Sequence, residues 1–393
     1  MSAQTQPAPG PLNRRGPRPL LLHLMLATLP SSGWQDAWKN LSAAWPSMSA
    51  GRTSDLQQIP NLPGITQPDA KLLSGIAAYR RYPYSRDLPD PPVIWAEGNT
   101  RLLDYGFGAG TPLFVVPSLV NRAYVLDLME GHSMLRYLAA RGVRPLLLDW
   151  GWPGEIERQF TLTDYIVGRL ERALMSLNEK MDVAGYCMGG MMALACATRR
   201  PDLIRRLCLL ATPWDFHGAD EQGARKVAGL LPFFEPALGF ADAMPVDALQ
   251  ILFSLLDPGS VAAKYRDFAD SNFATPRAKL FVALEDWLND GIPLAASVAR
   301  ETIKQWYGEN TPAMGNWRIA GLPVRPETLK MRTFVAVPGN DRIVPPQSAG
   351  PLAEIIPGAT LHAPSVGHVG MVAGSKARAV LWDVLVNWLE EVT

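Results

Sequence analysis

From Pro92 to the C-terminus, short apolar runs alternate with amphipathic stretches of about 15 to 20 residues, and this alternation predicts a parallel β-sheet covered by helices on both faces. The strand candidates are PLFVVPS (residues 112–118), RPLLLDW (144–150), MDVAGYC (181–187) and RRLCLLATP (205–213), with VIWAEGNTRLLDYG ahead of them as an entering hairpin. After Pro213 the pattern breaks. The stretch from Trp214 to about Pro326 reads as helical and rich in Phe, Trp, Leu and Pro, with no sheet of its own, before strand signals return in RTFVAVPG (332–339) and ATLHAPS (359–365). An insertion at that place predicts a cap over the carboxyl edge of the sheet, where open α/β sheets bind ligands. The expected plan is a mobile tail over 1–18, a helical or irregular region over 19–91, core over 92–213, helical cap over 214–326 and core again over 327–393.

Composition narrows the function. Thirty-seven basic residues balance 37 acidic ones, and no run of Lys and Arg interleaved with aromatics appears, which disfavours a nucleic-acid partner. An apolar share of 48% supports a sizeable core. Only Cys187, Cys196 and Cys208 are present, neither a disulfide framework nor a two-pair zinc pattern, so a reducing compartment is expected. Near the N-terminus, Arg14, Arg15 and Arg18 precede LLLHLMLATL much as the parts of a signal peptide would. His23 interrupts that stretch, and the continuation SGWQDAWKNLSAAW reads better as an amphipathic helix. No window reaches the ~18 apolar residues of a membrane span.

The chemistry concentrates in GYCMGGMMAL. Gly185, Cys187 and Gly189 form Gly-x-Cys-x-Gly between a strand-like and a helix-like segment, the setting of a nucleophile elbow. The turn is so tight that small residues are needed on either side, and the thiol is lifted to a helix N-terminus, where the dipole favours a thiolate. Cys196, on the following helix, and Cys208, inside an apolar strand, are assigned to core packing. The partners expected in chain order are Asp341, after RTFVAVPGN, and His368, after ATLHAPSVG, with Gly339 and Gly367 permitting the turns that aim them at the elbow. Asp341 is also placed to cap a helix over IVPPQSAGPLAEII. His362 is assigned to the core of the last strand, and His23, His132 and His217 lack an elbow partner. The oxyanion donors expected are the backbone amides of Met188 and, in the loop spanning Ser118 to Val120, Leu119.

Several stretches in order, VVPSLVNRAYVLDLMEGHSMLRYLAARG, LLLDWGWPGEIERQFTLTDYI, GYCMGG, LLATPWDFHG, EDWLNDGIP, PGNDRIVPPQSAG and VGHVGMVAGSKA, resemble a polyhydroxyalkanoate synthase, in particular the short two-component type. The resemblance runs from about Val93 to the C-terminus. It implies an α/β-hydrolase fold in which Cys187 carries the acyl group, with Asp341 and His368 as triad acid and base. The substrate implied is an (R)-3-hydroxyacyl-CoA, polymerised with release of CoA, with no resident cofactor or metal. It further implies a homodimer or a second synthase subunit, a polyester granule surface as partner, and a cytoplasmic location. Arg342 departs from the family, which often carries His after the triad Asp; a guanidinium cannot shuttle a proton, though it can pair with a CoA phosphate. A thiol suits the chemistry, because exchanging one thioester for another keeps the acyl group activated toward an alcohol. A thioesterase or intracellular polyester hydrolase, and an inactive granule-associated or regulatory subunit, are the competing readings. The apolar cap, with Trp214, Phe233, Phe234, Phe253 and Trp287, is expected to exclude water.

Overall fold

A computed structural model describes residues 14, 16–28, 69–256 and 258–391, so the helix expected over SGWQDAWKNLSAAW lies outside the described residues. The chain divides into two compact units, one of residues 1–85 with 253–289 and one of residues 86–252 with 290–393. The stretch expected as a single insertion is therefore shared between them, and Phe253 and Trp287 fall in the first unit.

The described elements of that first unit are helices: α1 (Leu20–Thr28), α2 (Ala70–Arg81) and those over Pro258–Ala269 and Pro276–Asn289. Asp69 caps α2 by accepting the Leu72 amide at 2.9 Å, and its other oxygen pairs with Arg266 at 2.6 Å. The core is aromatic: Tyr79, Tyr265 and Phe268 are fully buried, and Phe268 stacks on Phe281 at 4.3 Å. A Cβ at Gly75 would lie 1.8 Å from the Tyr265 carbonyl oxygen, so only glycine lets these backbones approach. Arg14, within the tail expected to be mobile, pairs with Asp286 at 2.6 Å. Among the described residues no helix is long and apolar enough to cross a membrane.

The second unit is built on an eight-stranded sheet: β1 (Val93–Glu97), β2 (Thr100–Asp104), β3 (Thr111–Val116), β4 (Val143–Asp149), β5 (Met181–Tyr186), β6 (Ile204–Leu210), β7 (Arg332–Ala336) and β8 (Thr360–His362). Their spatial order is β1-β2-β4-β3-β5-β6-β7-β8. The hairpin β1–β2 is antiparallel, β2 meets β4 antiparallel, and every later pairing is parallel. Each apolar run of the sequence becomes a strand, and β5 is buried along its whole length because helices cover both faces. The interval between β6 and β7 is mostly helical but does carry strand pairing. Ala243–Met244 pairs with Leu294–Ala295, and Arg318–Ile319 with Leu322–Pro323, two-residue ladders too short to leave an alternating pattern in the sequence. The fold is thus an α/β-hydrolase architecture with helical elements inserted between late strands, as expected.

Of the aromatic residues expected to exclude water, Trp214, Phe234 and Trp287 are buried, whereas Phe233 is 63% exposed. The period of its helix, Leu231–Ala241, turns Phe233 outward while Phe234 and Leu238 face the interior.

Candidate active site

Cys187 stands between the end of β5 and helix α3 (Met188–Arg199), with φ 56° and ψ −127°. This is left-handed backbone that a residue with a Cβ adopts only when its surroundings impose it, at a cost of about 1–3 kcal/mol. The imposing contacts are visible. The Cys187 amide donates to the Leu210 carbonyl at 2.9 Å, extending the β5–β6 ladder by one residue, and the Cys187 carbonyl accepts from the Gly190 amide at 2.9 Å. A Cβ would lie 2.5 Å from Gly190 Cα if added at Gly185, 2.2 Å from the Val116 carbonyl oxygen at Gly189, and 1.8 Å from Thr212 Oγ1 at Gly190. The first two positions were readable from Gly-x-Cys-x-Gly. Gly190 was not singled out, although the doubled glycine in GYCMGG carried the signal.

The other two side chains arrive on the loops after β7 and β8. These loops run side by side: the amides of Val337, Gly339 and Asn340 donate to the carbonyls of His362, Pro364 and Val366 at 2.8, 2.8 and 3.0 Å. That ladder brings Asp341 and His368 together. His368 Nδ1 donates to Asp341 Oδ2 at 2.6 Å, and Asp341 Oδ1 accepts the amides of Ile343 and Val344, each at 2.8 Å. Two details differ from expectation. Asp341 caps a turn and no helix, because the helix beyond it begins only at Pro346, the second proline of the Pro345–Pro346 pair. Neither Gly339 nor Gly367 has a positive φ, and a Cβ at either would meet its nearest neighbour at an ordinary 3.6 Å, so the interloop ladder and not glycine freedom sets the aim.

Both groups are buried, Asp341 to 4% and His368 to 8% exposure, whereas Cys187 is half-buried and accessible from outside. Burial disfavours a charged imidazole. The charge of the Cys187 sulfur, the hydrogen bond to Asp341 and the interaction of the ring with that sulfur outweigh burial and raise His368 to about 10. The structure thus pairs His368 with Asp341 and sets the Cys187 sulfur within electrostatic reach of the imidazole, which is favoured in its charged form.

Two tyrosines were missed. The Tyr186 ring lies 5.1 Å from that of His368, and its hydroxyl donates to the His368 carbonyl at 3.4 Å. Burial, the Cys187 sulfur and Asp341 all push its phenol up, so it stays protonated. Its place directly before the cysteine in the motif was the available signal. Tyr307, on the insertion, is reached by the charge of the Cys187 sulfur, and no local motif marks it.

For the expected oxyanion donors, Met188 opens α3, so its amide has no partner one turn back within the helix. Ser118 Oγ accepts the Val120 amide at 3.0 Å, which engages Val120; the Leu119 amide makes no hydrogen bond among the described residues. The Pro117 carbonyl, gripped by Trp150 Nε1 at 2.9 Å, fixes this loop beside Gly189. The remaining assignments are simpler. Cys196 and Cys208 are free and fully buried, and burial pushes both thiols up. His362 Nε2 donates to the Val380 carbonyl at 2.6 Å, His217 Nε2 to that of Tyr307 at 2.9 Å, and His23 Nδ1 to that of Pro19 at 3.0 Å; His132 is half-buried. Arg342 is exposed.

Comparison with known proteins agrees with this architecture. Residues 132–374 match the sequence model of the α/β hydrolase fold. A poly(3-hydroxyalkanoate) polymerase subunit PhaC from Synechocystis sp. is 30% identical over 71% of this chain and 78% of its own length. The subunit of the same name from Allochromatium vinosum is 30% identical over 71% and 81%, and that from Haloferax mediterranei 28% identical over 76% and 63%. With the fold, the elbow and these relatives in agreement, the chain belongs to the α/β-hydrolase fold family and, within it, to the family of the poly(3-hydroxyalkanoate) polymerase subunit PhaC.

Proposed function

We propose that the protein is an acyltransferase in which Cys187, His368 and Asp341 form a catalytic triad that takes (R)-3-hydroxyacyl groups from CoA thioesters and adds them to a growing polyester. The observation that carries this reading is the strained Cys187 elbow with the Asp341–His368 pair beside it. Its kinship with PhaC subunits supplies the substrate class. In the cycle, His368 takes the Cys187 proton, the sulfur attacks the thioester carbonyl, and the carbonyl oxygen draws on the amides of Met188 and Leu119. The bond to the CoA sulfur breaks, and CoA leaves with the proton from His368. A hydroxyl of the acceptor then gives its proton to His368, its oxygen attacks the enzyme thioester, and the Cys187 sulfur is released to recover that proton. Each turn forms one ester bond and frees one CoA. Asp341 holds the imidazole in the tautomer and orientation this shuttle needs. A second synthase subunit or a second copy of the chain, and a polyester granule surface in the cytoplasm, are the partners and setting proposed with it.

The same triad serves hydrolysis if water replaces the alcohol, and the half-exposed Cys187 favours that second reading by leaving solvent a path to the sulfur. Incubation with 3-hydroxybutyryl-CoA separates the two. Chloroform-soluble polyester with stoichiometric CoA supports the acyltransferase; free 3-hydroxybutyrate with CoA establishes the hydrolase. No CoA release from fully folded protein refutes both and leaves an inactive subunit.

A further inference from the structure

Two chain segments flank β5 at its carboxyl end, the loop after β3 on one side and the segment leaving β6 on the other. The first carries the expected oxyanion donor Leu119. The second, Trp214–His217, anchors Tyr307. The Asn310 side chain spans the junction, donating from Nδ2 to Asp215 Oδ1 at 2.8 Å and accepting the Phe216 amide on Oδ1 at 3.0 Å. His217 Nε2 donates to the Tyr307 carbonyl at 2.9 Å, and the Phe216 ring packs against Tyr307 at 5.1 Å and Trp306 at 5.5 Å. Tyr307 lies in a stretch of π-helix, Thr302–Gly308, a geometry frequent at functional positions.

The phenol itself is not used by this scaffold. It is half-buried, its hydroxyl makes no hydrogen bond among the described residues, and the charge of the Cys187 sulfur reaches it. Burial and that charge push it up to about 12, so it is a donor across the neutral range. A half-buried donor loses its water when an acyl chain enters; a substrate hydroxyl replaces that water, and a methylene leaves the donor unpaired.

We propose that Tyr307 sets substrate specificity by donating a hydrogen bond to the 3-hydroxyl oxygen of the acyl group held on Cys187, so that the site selects hydroxyacyl over unsubstituted acyl groups. The thioester carbonyl is left to Leu119 and Met188, and the hydroxyl two carbons along is met from the β6 side. This inference rests on the acyl-transfer reading above. The test is single-turnover CoA release from 3-hydroxybutyryl-CoA and from butyryl-CoA, in the wild type and in Tyr307→Phe. The quantity read is the ratio of the two acylation rates, in which any loss of folded protein cancels. Tyr307→Phe is expected to lower that ratio about five- to ten-fold, the worth of one neutral hydrogen bond. An unchanged ratio, with wild-type Cys187 still acylated, overturns the role of Tyr307 alone. A wild type acylated by neither thioester overturns the acyl-transfer reading and this inference with it.

Discussion

Two buried aspartates stand at opposite ends of the same sheet and are used in opposite ways. Asp182, at the start of β5, is 1% exposed and is gripped by Arg205 and Arg206, each through two nitrogens at 2.6 to 3.0 Å. Burial raises its carboxyl, but those hydrogen bonds prevail and hold it below the usual carboxylate range. Asp341, beyond the end of β7, is buried almost as deeply and has no guanidinium on it among the bonds described. One oxygen is spent on two backbone amides and the other on a single imidazole. The first carboxylate is neutralised by permanent cations and is chemically spent. The second has as its counter-charge a proton on His368, held beside the Cys187 sulfur. Burial and charge are alike at the two sites, and the difference in partner separates a structural ion pair from a candidate catalytic one.

Substitution by the isosteric amide sharpens that contrast. Asp341→Asn is expected to lower CoA release from 3-hydroxybutyryl-CoA by about 10³- to 10⁴-fold per folded molecule, because the amide no longer enforces the imidazole tautomer. Asp182→Asn is expected to do the reverse. It leaves two guanidiniums without a counter-charge and costs about 3 kcal/mol in urea unfolding, while kcat/KM of the folded fraction stays within about two-fold. Comparable activity losses at both positions would erase the distinction.

The elbow's glycines give the next largest effect. Gly189→Ala drives a Cβ to 2.2 Å from the Val116 carbonyl oxygen, a backbone atom that cannot step aside. A loss of at least about 3 kcal/mol in denaturant unfolding is expected.

Acid and base act on the two ends of the sheet separately. The Asp182 pair contributes stability above about pH 4, the unfolded carboxylate value, and loses it as pH falls further. The His368 pair contributes in full below about pH 6.5, the unfolded imidazole value, and loses its contribution as pH rises through about 10. The stability difference between wild type and Asp341→Asn is therefore expected to shrink between pH 7 and pH 11, and that between wild type and Asp182→Asn to shrink below pH 4. Tyr186→Phe removes only a long hydrogen bond to a backbone carbonyl, and an activity change within about three-fold is expected.

How much was readable in the sequence follows from the range of each interaction. The strands were legible because burial on both faces writes a continuous apolar run, and Cys187 because the elbow's steric demands fall within five residues. Asp341 and His368 were found through their places after late strands, although the interloop ladder that joins them has no side-chain signature. Tyr307 was not found, since its anchorage through His217, with Asn310 tying Asp215 and Phe216 across the insertion, repeats no local pattern. The grouping of residues 253–289 with the N-terminal unit escaped for the same reason: the close approach of Gly75 to Tyr265, and the Arg14–Asp286 pair at 2.6 Å, join positions far apart in the chain.

Mass spectrometry of the protein quenched in acid after brief exposure to 3-hydroxybutyryl-CoA addresses the triad's role most directly. The peptide carrying Cys187 is predicted to gain the mass of one or more hydroxybutyryl units, with the peptides carrying Cys196 and Cys208 unmodified and the Cys187→Ala protein unlabelled throughout. CoA release that persists in Cys187→Ala, or an acyl group found on any other residue, would contradict it.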